Sequence, residues 1–188
     1  MNKLFKKKTG FTLLEMLAAT IIVGILAAMA MVYYARTIER ARVAEVVTLM
    51  GSEVAAQERS FLTTRRYTRA WHQLDVQPAY VRTPSVDNKY ANGAENTIFY
   101  TRGKDSENNP KDGFAVYFEQ VGKEWYITAD RVGADEYEYT LIRPFHERTI
   151  YCLPKAGNEK SEVLCSDFMG VDSPELLPQD PREEQVGK

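Results

Sequence analysis

A single carboxylate, Glu15, lies at the edge of a long apolar segment near the amino end of the chain. The residues that follow it, 16–35, contain no charged side chain. A charged side chain at the centre of a membrane helix costs roughly 2.5–3.5 kcal/mol on insertion scales, so such residues usually carry a function. Because a carboxylate in apolar surroundings needs compensation, we expect Glu15 to pair with a positive group. The competing interpretation is that Glu15 lies at the level of the lipid headgroups and extends towards water.

The segment that positions Glu15 has the length and charge distribution of a membrane-spanning helix. At 1.5 Å per residue, residues 16–35 would form a helix of about 30 Å, which matches the hydrocarbon core of a bilayer. Residues 1–10 contain no acidic residue and four lysines, Lys3, Lys6, Lys7 and Lys8, which favour retention of that end in the cytoplasm. The 24 basic and 26 acidic residues of the chain include these four lysines, so the remainder has a net charge of −6. That charge suits an exported domain.

The composition argues against several classes of protein. The chain of 188 residues is 44% hydrophobic with a net charge of −2, which is typical of a globular protein without an overall basic surface. Two cysteines are too few for a disulfide-rich scaffold or a four-thiolate zinc site, and two histidines leave little for a metal centre. The sequence contains no Gly-rich phosphate loop, zinc-ligand spacing or paired acid–base motif. We therefore predict a protein without enzymatic activity, cofactor or bound metal.

The junction between the basic segment and the apolar helix carries a recognisable motif. Residues 8–16, with the sequence KTGFTLLEM, combine the end of a basic leader at Gly10 with Phe11 and a glutamate four residues later. The motif resembles the class III signal of type IV pilins and type II secretion pseudopilins. The resemblance implies that a prepilin peptidase cleaves between Gly10 and Phe11 on the cytoplasmic side of the membrane. It also implies that the same enzyme methylates the new amino group of Phe11.

The resemblance assigns an assembly role to Glu15. A new α-amino group titrates near pH 7.7–8, so it is largely cationic at neutral pH. In a filament of packed helices, the amino terminus of one subunit would pair with Glu15 of a neighbour, which neutralises both charges and sets the register.

The resemblance also implies partners and locations. The partners are other copies of the chain in a homopolymer or a mixed filament, the prepilin peptidase, and an inner-membrane assembly platform with its ATPase. Before assembly the chain would cross the inner membrane once, with its amino terminus in the cytoplasm. After assembly it would lie in an extracellular pilus or a periplasmic pseudopilus.

The helix is expected to continue beyond the membrane. Residues 36–62 contain no proline, and apolar residues recur there at helical spacing in one stripe: Val43, Val47, Met50, Val54 and Phe61. Charged residues, Glu53 among them, flank the stripe. The pattern predicts one helix over 11–62, with 11–35 as membrane anchor and filament core and 36–62 as an amphipathic half. Val32 stands where many pilins have a helix-kinking proline, which leaves the straightness of the helix open.

The remaining residues predict a small β-rich head and a tail. Short segments rich in aromatic and β-branched residues alternate with turn residues over 63–170: 97–102, 114–120, 125–129, 137–142 and 149–153. An antiparallel sheet that covers the outer half of the helix gives an α+β fold, and the resemblance implies the ladle shape of a pilin. Residues 171–188 are rich in proline and acidic residues, so we expect an extended or disordered tail.

The two cysteines, Cys152 and Cys165, lie close together in the sequence. The resemblance implies the disulfide that bounds the carboxy-terminal region of many pilins, and the expected export makes oxidation plausible. Two unpaired thiols are the alternative. Neither cysteine lies in a recognisable nucleophile motif.

Two further groups of residues carry weaker signals. Arg65, Arg66 and Arg69 surround Tyr67 in a basic and aromatic patch that could contact nucleic acid, although a solvated loop gives the same pattern. A second group has oxygen ligands suited to calcium: Asp105, Glu107, Asn109 and Asp112. Pro110 stands where an EF-type loop needs glycine, and Val116 where it needs glutamate, so we expect no metal there.

The sequence leaves two other functions open. One is an uncleaved, signal-anchored binding module that holds a ligand on its sheet. The other is a minor pilin that binds DNA or surfaces through the arginine patch. Cleavage after Gly10 would separate the filament subunit from the anchored module.

Overall fold

The fold is dominated by one long amino-terminal helix. The computed structural model describes residues 11–76, 85–86, 97–102, 111–133, 136–173 and 176–183. Helix α1 comprises Leu13–Thr64, and a short 3-10 turn follows at Trp71–Gln73. The chain divides into two units, the first ending at Ala41 and the second beginning at Arg42. The predicted helix over 11–62 is therefore confirmed, with its ends displaced by two residues.

The second unit contains an antiparallel sheet in which neighbours in sequence are neighbours in space. Its strands are β1 (Ser85–Val86), β2 (Thr97–Tyr100), β3 (Gly113–Val121), β4 (Glu124–Val132), β5 (Tyr139–Pro144) and β6 (Tyr151–Pro154). The order is β1-β2-β3-β4-β5-β6, and every pairing is antiparallel. Glycine at position 122, with φ +61°, makes the tight turn between β3 and β4. This meander confirms the predicted α+β fold, and the arrangement is pilin-like.

Successive side chains of a strand point to opposite faces of the sheet, and those on one face pack in a core that includes residues of α1. Val43, Met50 and Val54 of α1 are almost completely buried in the same cluster as Phe114 and Phe118 of β3. Each fully buried aliphatic or aromatic side chain of this kind contributes about 1.5–3 kcal/mol to folding. The outer stripe of α1 is thus the element that the sheet covers, as the sequence predicts.

A second helix, α2, was not predicted from the sequence. It comprises Glu159–Met169 and begins at the N-cap Asn158, whose Oδ1 accepts a hydrogen bond from the Ser161 amide at 3.0 Å. It ends at Gly170, which has the left-handed conformation that favours glycine, with φ +69°. These are ordinary capping signals, but the segment has only a weak apolar stripe.

Part of the carboxy-terminal segment lies against the sheet. Nη1 of Arg182 forms an ion pair with Glu119 of β3 at 2.8 Å, and Tyr126 of β4 donates a hydrogen bond to the Pro181 carbonyl at 3.4 Å. Arg182 also pairs with Asp180. Within residues 176–183, Arg182 thus has a long-range partner in Glu119, which the composition of the tail does not reveal.

Candidate functional site

The first turn of α1 contains a reciprocal hydrogen-bonding arrangement around Glu15. Oε2 of Glu15 accepts hydrogen bonds from the Thr12 amide at 2.8 Å and from the Thr12 hydroxyl at 2.9 Å. In return, the Glu15 amide donates to the Thr12 hydroxyl oxygen at 3.2 Å. This is a capping box, in which the N-cap side chain and the third helical residue satisfy each other's backbone donors. The T-x-x-E spacing in the sequence is its signature, and the sequence analysis missed it.

The capping box determines where the Glu15 carboxylate lies. The side chain points back along the helix, so that its carboxylate is held at the amide of the residue next to Phe11. Negative charge at this end of a helix is also favoured by the helix dipole. Phe11 itself is 81% exposed. Gly10, the other residue of the predicted cleavage junction, and the leader 1–10 lie outside the described residues.

The helix beyond this turn exposes a continuous apolar surface. Its large apolar side chains between Leu13 and Tyr34 are 48–84% exposed where the structure describes them. By length and composition, α1 is long and apolar enough to cross a membrane. Soluble monomers rarely expose so large a contiguous apolar patch, so this surface needs lipid or protein to cover it.

The comparison with known families decides the identity of this segment. Residues 5–31 match the family model of the prokaryotic N-terminal methylation motif. The chain carries a class III, pilin-type signal. No curated protein and no solved structure matches the chain. The match contains Gly10, Phe11 and Glu15, the three residues to which the sequence analysis assigned cleavage, methylation and assembly.

The pilin-type signal is joined to a head that is closed by a disulfide. Cys152 of β6 and Cys165 of α2 are bonded, with their Cα atoms 5.2 Å apart. Both residues are fully buried in the core cluster of the second unit. The predicted pairing is confirmed, and the alternative of two free thiols is excluded.

The three arginines of the predicted basic patch follow the end of α1. Arg65 has a φ of +58° and caps the helix, since its amide donates to the Phe61 carbonyl at 2.8 Å. The side chains of Arg65 and Arg66 are exposed, whereas Arg69 is half-buried. The guanidinium of Arg69 lies over the ring of Trp125, 5.6 Å from its centroid. Of the three arginines, Arg69 is therefore the one that the fold brings to a tryptophan of β4.

Of the four possible calcium ligands, Asp112 is the one that the structure describes. Asp105, Glu107 and Asn109 lie outside the described residues. Asp112 already pairs with two arginines: with Arg42 at 2.6 Å and with Arg131. Within the described ranges, no group of three or more acidic, histidine or cysteine side chains is placed to hold a metal ion.

The buried polar residues of α1 include Glu53 and Gln57, whose burial was not expected from the sequence. Glu53, expected at the flank of the apolar stripe, is fully buried, and neither carboxylate oxygen has a hydrogen-bond partner among the described residues. Burial raises the pKa of Glu53 to about 7; the Asp75 carboxylate adds to the increase and Arg59 opposes it. Gln57, also fully buried, binds the backbone of Thr68 with both ends of its amide. Glu53 and Gln57 lie close to the apolar stripe in the helical pattern. Their burial, however, results from the sheet and the loop that pack against the helix.

Proposed function

We propose that this chain is a structural subunit of a type IV pilus or a related secretion pseudopilus. The observation that carries the proposal is the match of residues 5–31 to the methylation motif, together with the exposed apolar half of α1. In this function a prepilin peptidase cleaves after Gly10 and methylates Phe11. Assembly then moves the apolar half of the helix from lipid into a filament core.

The capping box supports a specific role for Glu15 in that assembly. The carboxylate is held at the helix start by the Thr12 amide, which belongs to the residue after Phe11, where cleavage would create the new amine. Glu15 pairs with the amino terminus of a neighbouring subunit, so that neither charge enters the filament core uncompensated. The protein has no enzymatic role in this process, and the ATPase partner supplies the energy.

Processing is tested by intact mass and amino-terminal sequencing of protein purified from the native membrane or from a sheared surface fraction. We expect a chain that starts at Phe11 and is heavier by one methyl group. A Gly10→Val variant is the control and should retain the leader. A native chain that starts only at Met1 would contradict the proposal and favour the uncleaved, anchored binding module.

The role of Glu15 is tested by comparing Glu15→Gln with Glu45→Gln, an exposed glutamate further along the same helix. Both variants lose one negative charge. We expect cleaved but unassembled subunits for Glu15→Gln and normal filament yield for Glu45→Gln, measured by shearing and immunoblot. Equal filament yields from the two variants would remove Glu15 from the assembly mechanism.

A further inference from the structure

The loop that leaves α1 borders an open groove in the second unit. The groove has a volume of about 420 Å³ and is lined by Tyr67, Arg69, Gln73, Gln120 and Trp125 among others. Small-ligand clefts in proteins commonly have volumes of ~300–1,000 Å³. We call it the Arg69 groove.

The loop beside the Arg69 groove is held by four hydrogen bonds, three of them partly buried. Gln57 donates to the Thr68 carbonyl at 2.6 Å and accepts from the Thr68 amide at 3.0 Å. The Thr68 hydroxyl donates to Gln73 at 2.6 Å and accepts from the Ala70 amide at 3.0 Å. Because this loop is already ordered, little conformational entropy is lost when a ligand binds to its side chains.

An aromatic cluster forms one side of the groove. Tyr67 stacks on Phe61 with a centroid distance of 4.6 Å, and it contacts Phe145 edge-on at 5.1 Å. Trp125 lies 5.8 Å from Tyr67 and is only partly buried. The partly exposed rings of Tyr67 and Trp125 are therefore held by packing and remain accessible from the groove.

The positive charge at the groove is not neutralised within the described part of the chain. No carboxylate among the described residues pairs with Arg65, Arg66 or Arg69. Nε of Arg69 is buried and has no hydrogen-bond partner there, although buried donors are normally satisfied. By contrast Arg59, on the last turns of α1, is paired with Asp75 at 2.7 Å. One guanidinium in the groove and two on the loop just before it have no carboxylate partner among the described residues of an otherwise acidic domain, which indicates an anionic ligand.

We propose that the Arg69 groove binds a single-stranded nucleic-acid segment. Arg65 and Arg66 contact successive phosphates, while a base stacks on the Arg69–Trp125 pair; arginine planes and aromatic rings are the usual stacking platforms for unpaired bases. An acidic peptide would satisfy the arginines but would leave the aromatic rings without a function. The groove lies in the second unit, so its ligand is independent of cleavage at Gly10.

The test is a fluorescence titration of the full-length protein in detergent micelles with an oligothymidine strand. The chain has two tryptophans, and Trp71 is buried, so quenching reports on Trp125. We expect saturable quenching in the unaltered protein and at least a tenfold weaker affinity for R65A/R66A/R69A. The matched control K111A/R148A/K160A removes three exposed positive charges elsewhere and should bind within twofold of the unaltered protein.

Salt dependence separates phosphate contacts from a general effect of charge. Each phosphate neutralised on a single strand contributes about −0.7 to the slope of log K against log salt, so the two phosphate contacts of Arg65 and Arg66 predict a slope of about −1.4. With affinity measured in every variant by the fluorescence anisotropy of a labelled oligothymidine strand, the slope should approach zero in R65A/R66A/R69A. Trp125→Phe should abolish the tryptophan quenching while retaining most of the slope. Equal weakening by the control variant would overturn the proposal. Binding of polyglutamate as tight as that of the oligonucleotide, or an absence of quenching, would overturn it as well.

Discussion

At the scale of single residues, two glutamates of α1 differ in how their charge is compensated. Glu15 accepts two hydrogen bonds from Thr12 at an exposed helix start. Glu53 is buried, and its carboxylate accepts no hydrogen bond from the described residues. An ionised carboxylate without partners is costly in a protein interior, so the protonated form of Glu53 is favoured in the folded state.

The buried Glu53 predicts a pH-dependent stability. Its pKa is about 7 in the folded protein against an ordinary value of 4.5, so the folded state binds the proton more tightly than the unfolded state. The stabilisation is complete below pH 4.5 and is lost as the pH rises through 7, with a total of order 3 kcal/mol. We expect Glu53→Gln to remove most of this decline in the free energy of unfolding between pH 4.5 and 8, measured by denaturant titration.

Glu45→Gln is the matched control for this measurement, because Glu45 is exposed on the same helix. It should retain the pH dependence of the unaltered protein. If Glu53→Gln and the unaltered protein lose stability in parallel between pH 4.5 and 8, Glu53 does not titrate in this range.

At the scale of elements, the disulfide ties the last strand of the sheet to α2. Cys152 and Cys165 are separated by 13 positions and join β6 to the middle of α2. Of the two capping residues of α2, Asn158 lies inside this loop and Gly170 lies beyond it. The helix is held by these caps, by the covalent attachment near its middle and by a few buried side chains, among them Leu164.

Removal of the disulfide should destabilise this part of the head. In the chain-entropy model a loop of about this length contributes roughly 3 kcal/mol to the free energy of unfolding. We expect the double variant Cys152→Ala/Cys165→Ala to lose stability by that order in denaturant titrations. A reducing agent should lower the stability of the unaltered protein and leave that of the double variant unchanged. Identical stabilities of the oxidised and reduced protein would contradict the prediction.

At the scale of the whole molecule, the chain combines two units that differ in how far their apolar side chains are exposed. Up to Ala41 the described apolar side chains are mostly exposed, whereas from Arg42 onward a buried core extends through helix and sheet. Helix α1 contributes residues to both units. In the function that we propose, the apolar part lies first in the membrane and then in the filament, and the acidic head stays in water.

A shortened chain tests this division. Since the core cluster begins at Val43, a protein that starts at Arg42 should remain folded and soluble without detergent. We expect a cooperative thermal transition, an intact disulfide and a monomeric mass by light scattering. The same fragment with Met50→Ala is the control and should unfold several degrees lower, because it loses a fully buried side chain. A fragment without a cooperative transition would show that the preceding residues are needed for folding.

Much of the fold follows from local sequence patterns. The uncharged run, the proline-free apolar stripe and the alternating strands predict α1 and the sheet, because each reflects a period of 3.6 or 2 residues that neighbours in sequence impose. The motif at Gly10, Phe11 and Glu15 is equally local, so its match to a known signal needs no tertiary information. The capping pair of Thr12 and Glu15 is also local, because its T-x-x-E spacing is a feature of neighbouring residues.

Other features depend on which distant residues come together. Glu53 is buried only because the packed head encloses it. The contacts of Gln57 with the Thr68 backbone and of Arg69 with Trp125 join segments that are separate in the sequence. The contact of Arg182 with Glu119 is of the same kind, with 63 positions between the partners. The amino-acid sequence by itself determined the signal, the long helix and the strands, since these require only local periodicity and residue type. The tertiary structure alone decided which polar groups lost water and which found partners, because burial depends on the packing of distant elements.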